Sequence, residues 1–264
     1  SDLHLLQSPQ EQEVIFDELV SALRYVGEHA QEPVGLLAIT GDIFDSAMID
    51  VAFATHRFAD LHKEICAALG GEVPTVIVPG NHDRRRGGLF GPHRSELFEA
   101  LRETLRGRAW VHGCNTPFLS EVVPPSYYNL PLWIVAYDST YLPRGLVSAG
   151  GALRQEDLLY AAAQIGTKQP DWPVLFMLHH HLVPTPLTDL GPVEIENAPA
   201  VVRWGVQRVL PDLIAHADRE ELTMTALGAG TALSTLHTLG RSVLAIHGHK
   251  HYATARTLEG MTEG

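Results

Sequence analysis

Cysteine is scarce: Cys66 and Cys114 are the only two in 264 residues, and no CxxC joins them. That excludes a disulfide framework and a zinc knuckle, and leaves two reduced thiols. Long hydrophobic runs are missing too. No stretch approaches the roughly 18 uninterrupted apolar residues that a membrane-spanning helix needs, so no membrane partner is expected. Basic residues are outnumbered, with 19 Lys and Arg against 31 Asp and Glu and a formal net charge of -12. This argues against a broad cationic face for DNA or RNA. Repeats, low-complexity tracts and a marked linker are also absent, so one domain over residues 1–264 is the simplest reading.

Apolar residues make up 45% of the chain, enough to bury a substantial core. Runs rich in β-branched residues, each ending in a polar cluster, read as buried strands at Gly35–Thr40, Thr75–Pro79, Leu132–Tyr137, Val174–Leu178 and Ser242–Ile246. Between them, apolar positions three and four apart predict helices over Gln10–His29, Ala47–Leu69, Ser95–Leu105, Arg154–Ile165 and Val201–His216. In the second helix Val51, Phe58, Leu61, Ile65 and Leu69 share a face. His56 and His62 are expected at its surface, and Gly70-Gly71 is expected to close it. Pro117, Pro124-Pro125 and Pro131 suit antiparallel strands and turns over 109–137, hence a second sheet. Residues 184–199 read as a long loop. Alternating strand and helix implies α/β layering.

Histidine is plentiful, with 15 in the chain, and several sit beside Asp, Asn or Gly just after a strand. Asp2-Leu3-His4 offers a carboxylate and an imidazole on one side of an extended segment. In Gly41-Asp42-Ile43-Phe44-Asp45, Asp42 sits at a strand's C-terminal end, where open α/β sheets place ligands. Asp42 or Asp45 could equally cap the helix that follows. Gly80-Asn81-His82-Asp83 supplies an amide oxygen and a neighbouring imidazole able to shuttle protons. His179-His180-His181 follows a strand, and Gly248-His249-Lys250-His251 again offers two imidazoles at i and i+2. Alone, each is weak. Together they supply N and O donors enough for two cations. Arg84-Arg85-Arg86 is the one dense basic cluster, and Arg84 could clamp a substrate phosphate as readily as it could be solvated.

In this order, DLH, GDIFD, GNHD, the HHH run and GHKH resemble the signature of calcineurin-like metallophosphoesterases across nearly the whole chain. Asp138-Ser139, Gly151-Ala152-Leu153 and the helix that follows are similar to the corresponding region of bacterial class III cyclic-nucleotide phosphodiesterases. The resemblance implies a four-layer αββα sandwich of two mixed β-sheets flanked by helices. It implies that Asp2, His4 and His251 bind one divalent metal ion and Asn81, His179 and His249 a second, with Asp42 bridging; His180 and His181 remain alternatives to His179. The metals would be manganese, iron or zinc. His82 would then be the catalytic acid, with Asp45 orienting it, and a metal-bridging hydroxide would attack a phosphodiester in line. A phosphomonoesterase or nuclease with the same site is the nearest alternative, and a non-catalytic scaffold a further one. The expected partner is a small phosphorylated substrate. The family places a strand before its first motif and more strands after its last, so segments beyond both ends are expected. A homo-oligomer covering an open sheet edge, and a cytoplasmic location, are expected as well.

Overall fold

The computed structural model describes residues 3–5, 12–45, 49–84, 95–113, 118–141, 151–166, 171–182 and 226–248. Numbered along these residues, the elements run α1 (Glu13–His29), β1 (Leu37–Ile39), α2 (Val51–Ala68), β2 (Thr75–Ile77), α3 (Asn81–Arg84), α4 (Glu96–Thr104), β3 (Trp110–Val111), β4 (Ser120–Val123), α5 (Pro125–Tyr128), β5 (Trp133–Tyr137), α6 (Gln155–Gly166), β6 (Val174–Met177), α7 (Ala229–His237) and β7 (Val243–Ile246). Two sheets result. One is three-stranded and parallel, in the order β1-β2-β3; the other is four-stranded and mixed, in the order β4-β5-β6-β7, with β4 the antiparallel member.

Side-chain alternation builds four layers from these two sheets. From the first sheet, Ile39 and Ile77 point into a core with Phe16 of α1, Phe58 and Ile65 of α2, and Leu97 and Leu101 of α4. Their neighbours Val76 and Val78 point the other way, onto Ile134 and Ala136 of β5 and Leu175 and Met177 of β6. The opposite faces of β5 and β6, with Trp133, Val135, Tyr137, Val174 and Phe176, meet Leu158, Ala161 and Ile165 of α6 and Ala232 and Leu236 of α7. Both faces of each central strand are thus buried, which is why they read as continuous apolar runs. Burying each large side chain contributes roughly 1.5–3 kcal/mol before entropic costs. Among the described residues no helix is long and apolar enough to cross a membrane.

The five strands read from the sequence are all present, each trimmed by a residue or more. Helix α2 differs at its start. It begins at Val51, and the residue that caps it is Asp50, whose Oδ1 accepts from Phe53 N at 2.7 Å, so Asp45 is released from capping. At its other end Gly70 and Gly71 take φ of 101° and 139°, and their N–H groups reach back to Ala67 and Cys66 carbonyls. His62 is not a surface residue: it is 3% exposed, and its Nε2 meets Thr75 Oγ1 at 2.9 Å. Over 109–137 the antiparallel expectation holds only for β4 against β5, since β3 joins the first sheet in parallel. The helix expected over 201–216 and the loop over 184–199 lie outside the described residues.

Candidate active site

The first motif is placed by pairing. The short segment at Leu5 forms a parallel bridge with Phe44, and His4 N donates to Asp42 O at 3.1 Å. His4 is therefore held beside Asp42. Gln12 Nε2 donates to His4 O at 2.6 Å and ties the segment to the start of α1. His4 and Asp42 both have left-handed backbones, with φ of 45° and 50°. Such conformations cost a non-glycine residue on the order of 1 kcal/mol or more, and concentrate where side chains must be aimed.

The second and third motifs touch backbone to backbone. A Cβ on Gly41 would strike Gly80 N, and one on Gly80 would strike both Asp42 N and Asp42 Oδ1. Both positions therefore require glycine. The contact lets His82 N donate to Asp42 Oδ1 at 2.9 Å. Asp83 fastens the same two loops from below. Its Oδ1 accepts from Ile43 N at 2.9 Å and Phe44 N at 3.0 Å, and its Oδ2 accepts from Gly80 N at 2.8 Å. Burial and the charge of Asp42 push the Asp83 carboxyl up to about 7, against the pull of these N–H groups. Sequence reasoning gave Asp83 no role, yet an acid at the third position of a helix that follows a loop is the usual partner of the capping N–H.

From the second sheet comes His179, one residue beyond Leu178. Its Nδ1 lies 2.8 Å from Thr40 O, and a carbonyl can only accept, so Nδ1 carries the proton. In the neutral ring the lone pair of Nε2 then points at Asp42 Oδ2, 3.3 Å away, and Asn81 Oδ1, 3.1 Å away. Three electron-rich atoms face one another across the seam of the two sheets. Donor atoms sharing one cation at ~2.1 Å stand roughly 3.0–3.4 Å apart, so the spacing fits a metal ion. Burial alone would raise Asp42, but in the absence of a metal ion a second proton on the His179 ring, and the charge and backbone N–H of His82, outweigh it and hold the carboxyl at about 2. Asp42 is thus anionic at neutral pH.

On the other side of Asp42 stands His4, with Nε2 4.0 Å from Asp42 Oδ2 and Nδ1 3.9 Å from Asp45 Oδ1. His82 packs edge-on against His4 at a centroid distance of 4.8 Å. Ligand-type atoms of His4, Asp42 and His82 all lie within 4.8 Å of one another, a second grouping able to hold a cation. Asp45 meets His82 through its backbone: His82 Nδ1 lies 2.6 Å from Asp45 O. The Asp45 carboxylate is turned toward His4.

A model of the calcineurin-like phosphoesterase family matches residues 1–218. The chain belongs to that family. It is accordingly a metal-dependent phosphoester hydrolase, and the convergent donors of His4, Asp42, Asn81 and His179 are of the kind such a hydrolase needs for divalent cations. No curated protein matches the chain.

Of the expected site residues, His4, Asp42, Asp45, Asn81, His82 and His179 come together, while Asp2, His249 and His251 lie outside the described residues. His180 and His181 are buried; His180 Nδ1 meets Ser139 Oγ at 2.9 Å, and the His181 ring packs on His247 at 4.2 Å. Arg84 is buried as well, and its guanidinium is engaged by Asp138.

Proposed function

We propose that this phosphoesterase hydrolyses phosphodiesters of small phosphorylated substrates, with His82 as the general acid. The observation that carries the reading is the hydrogen bond from His82 Nδ1 to Asp45 O at 2.6 Å. Because that carbonyl fixes the proton on Nδ1, Nε2 is the nitrogen free to carry a second proton to a leaving alkoxide. His4 and Asp42, with Asp2 and His251, would hold one divalent cation; Asn81 and His179, with His249, would share Asp42 to hold another. Bound there, manganese, iron or zinc would supply positive charge to the phosphate oxygens and acidify a water. Asp42, kept anionic, sets the charge of the cluster, and its Oδ1 anchors the backbone of His82. The finer likeness to cyclic-nucleotide phosphodiesterases supports a diester substrate, and an acid poised for an alkoxide leaving group fits that reaction.

The test is a paired assay of the Mn2+-loaded chain with bis- and mono-p-nitrophenyl phosphate, beside His82→Ala. Faster turnover of the diester is expected. The variant should lose about 10²–10⁴ in rate on diesters with poor leaving groups while keeping its metals. A second reading follows from the proximity of His82 to His4 and Asp42, which would suit a ligand. Loss of one metal equivalent in His82→Ala would favour it.

A further inference from the structure

Asp138-Ser139 follows β5, a strand that contributes no candidate ligand. We infer that this pair positions the metal donors of both sheets. The inference rests on the reading of Asn81 and His179 as cation ligands.

A serine hydroxyl has one proton to give and two lone pairs to accept with. At Ser139 all three are engaged with the loop that carries His179. Oγ accepts from His179 N at 3.3 Å and His180 N at 3.2 Å, which leaves its proton for His180 Nδ1 at 2.9 Å. Ser139 O accepts in turn from Ala152 N at 3.0 Å. Gly151 lies against His180 so closely that a Cβ there would strike the imidazole. This side chain thus fixes the backbone direction at His179 from one side, while Thr40 O holds the ring through Nδ1 and Gly248 N holds the His179 carbonyl.

Asp138 works on the other sheet. Its Oδ1 accepts from Thr140 N at 3.0 Å and Thr140 Oγ1 at 2.6 Å, and its Oδ2 pairs with the Arg84 guanidinium, both side chains being buried. Arg84 closes the four-residue turn α3 that begins with Asn81 and His82. Adjacent residues on one strand end therefore hold the two donors that face each other across Asp42. Neither touches a reacting atom, so both are positioning residues.

Metal binding by the full chain tests this directly. Ser139→Ala should bind Mn2+ about tenfold more weakly than wild type, as loss of a group that orients a ligand commonly does. Its Co2+ form should show a shifted visible absorption spectrum, and Ser139→Thr, which keeps the hydroxyl, should restore both. Asp138→Asn, similar in shape and uncharged, should also weaken Mn2+ binding about tenfold, and it serves as the second variant if the first does not fold. Ser139→Ala or Asp138→Asn with wild-type Mn2+ affinity and an unshifted Co2+ spectrum, even at a lowered melting temperature, would overturn the positioning role alone. Failure of the wild type itself to bind either ion would overturn the metal reading, and this role with it.

Discussion

His179 Nε2 stands 3.3 Å from Asp42 Oδ2 although its Nδ1 proton is already committed to Thr40 O. Without positive charge between them the two lone-pair atoms repel, so a cation that settles there stabilises the fold. Mn2+ at about 100 times its Kd should add about 2.7 kcal/mol to the unfolding free energy, and chelation should remove it. Asp42→Asn and His179→Ala should each lose most of that gain. The measurement is the urea midpoint with and without Mn2+, and identical midpoints for the wild type would refute the site.

Gly80→Ala forces a methyl group onto Asp42 N and Oδ1. The loops must part, at a cost of about 1–3 kcal/mol typical of overpacking. Asp42 moves with them. Mn2+ affinity should therefore drop along with stability, whereas alanine at Gly166, where an added Cβ meets nothing, should leave both unchanged.

Asp83→Asn places an amide where three backbone N–H groups converge. One of its ends can only donate, so at least one N–H is left buried and unmet, at about 1–3 kcal/mol. Chemical denaturation should show that loss. A variant as stable as wild type would mean that the loops are held by something other than this carboxylate.

His62 predicts a pH dependence. Burial, then the charge of Arg108, lowers its pKa in the folded chain below the ordinary 6.5. The unfolded chain therefore takes up the proton first as pH falls. Its contribution is fully present above pH 6.5 and is lost as pH falls from 6.5 through the lower folded value. His112 and His247, depressed by burial as well, act in the same direction. Asp83, pushed up to about 7, acts in the opposite direction over the same range, so the readout is a difference: from pH 7.5 to 5.5 the unfolding free energy of the wild type should fall relative to that of His62→Gln. An equal slope in the variant would contradict the assignment.

The strands were legible because both faces of β2, β5 and β6 are covered, which leaves no polar alternation to confuse with a helix. The exposed fate expected for His62 ignored its spacing: it lies four residues after Phe58 and three before Ile65, on the buried stripe of α2. At the start of that helix two aspartates, Asp45 and Asp50, compete for one capping position, and composition alone does not choose between them. Asp83 was legible in principle, three residues after the glycine whose N–H it accepts. Ser139 was not. Its partners at His179 and His180 lie 40 and 41 residues away, so only the pairing of β5 with β6 brings them to it.

Asp42 and Asn81 ride on one sheet and His179 on the other, across an interior filled by Val76, Val78, Ala136 and Met177. Any ion gripped by all three rivets two halves of the molecule that otherwise adhere through hydrocarbon and a few polar ties, such as His179 Nδ1 to Thr40 O and Arg84 to Asp138. A bulkier residue deep in that interior, such as Ala136→Leu, would pry the halves apart and blunt the chemistry from a distance, with every donor intact.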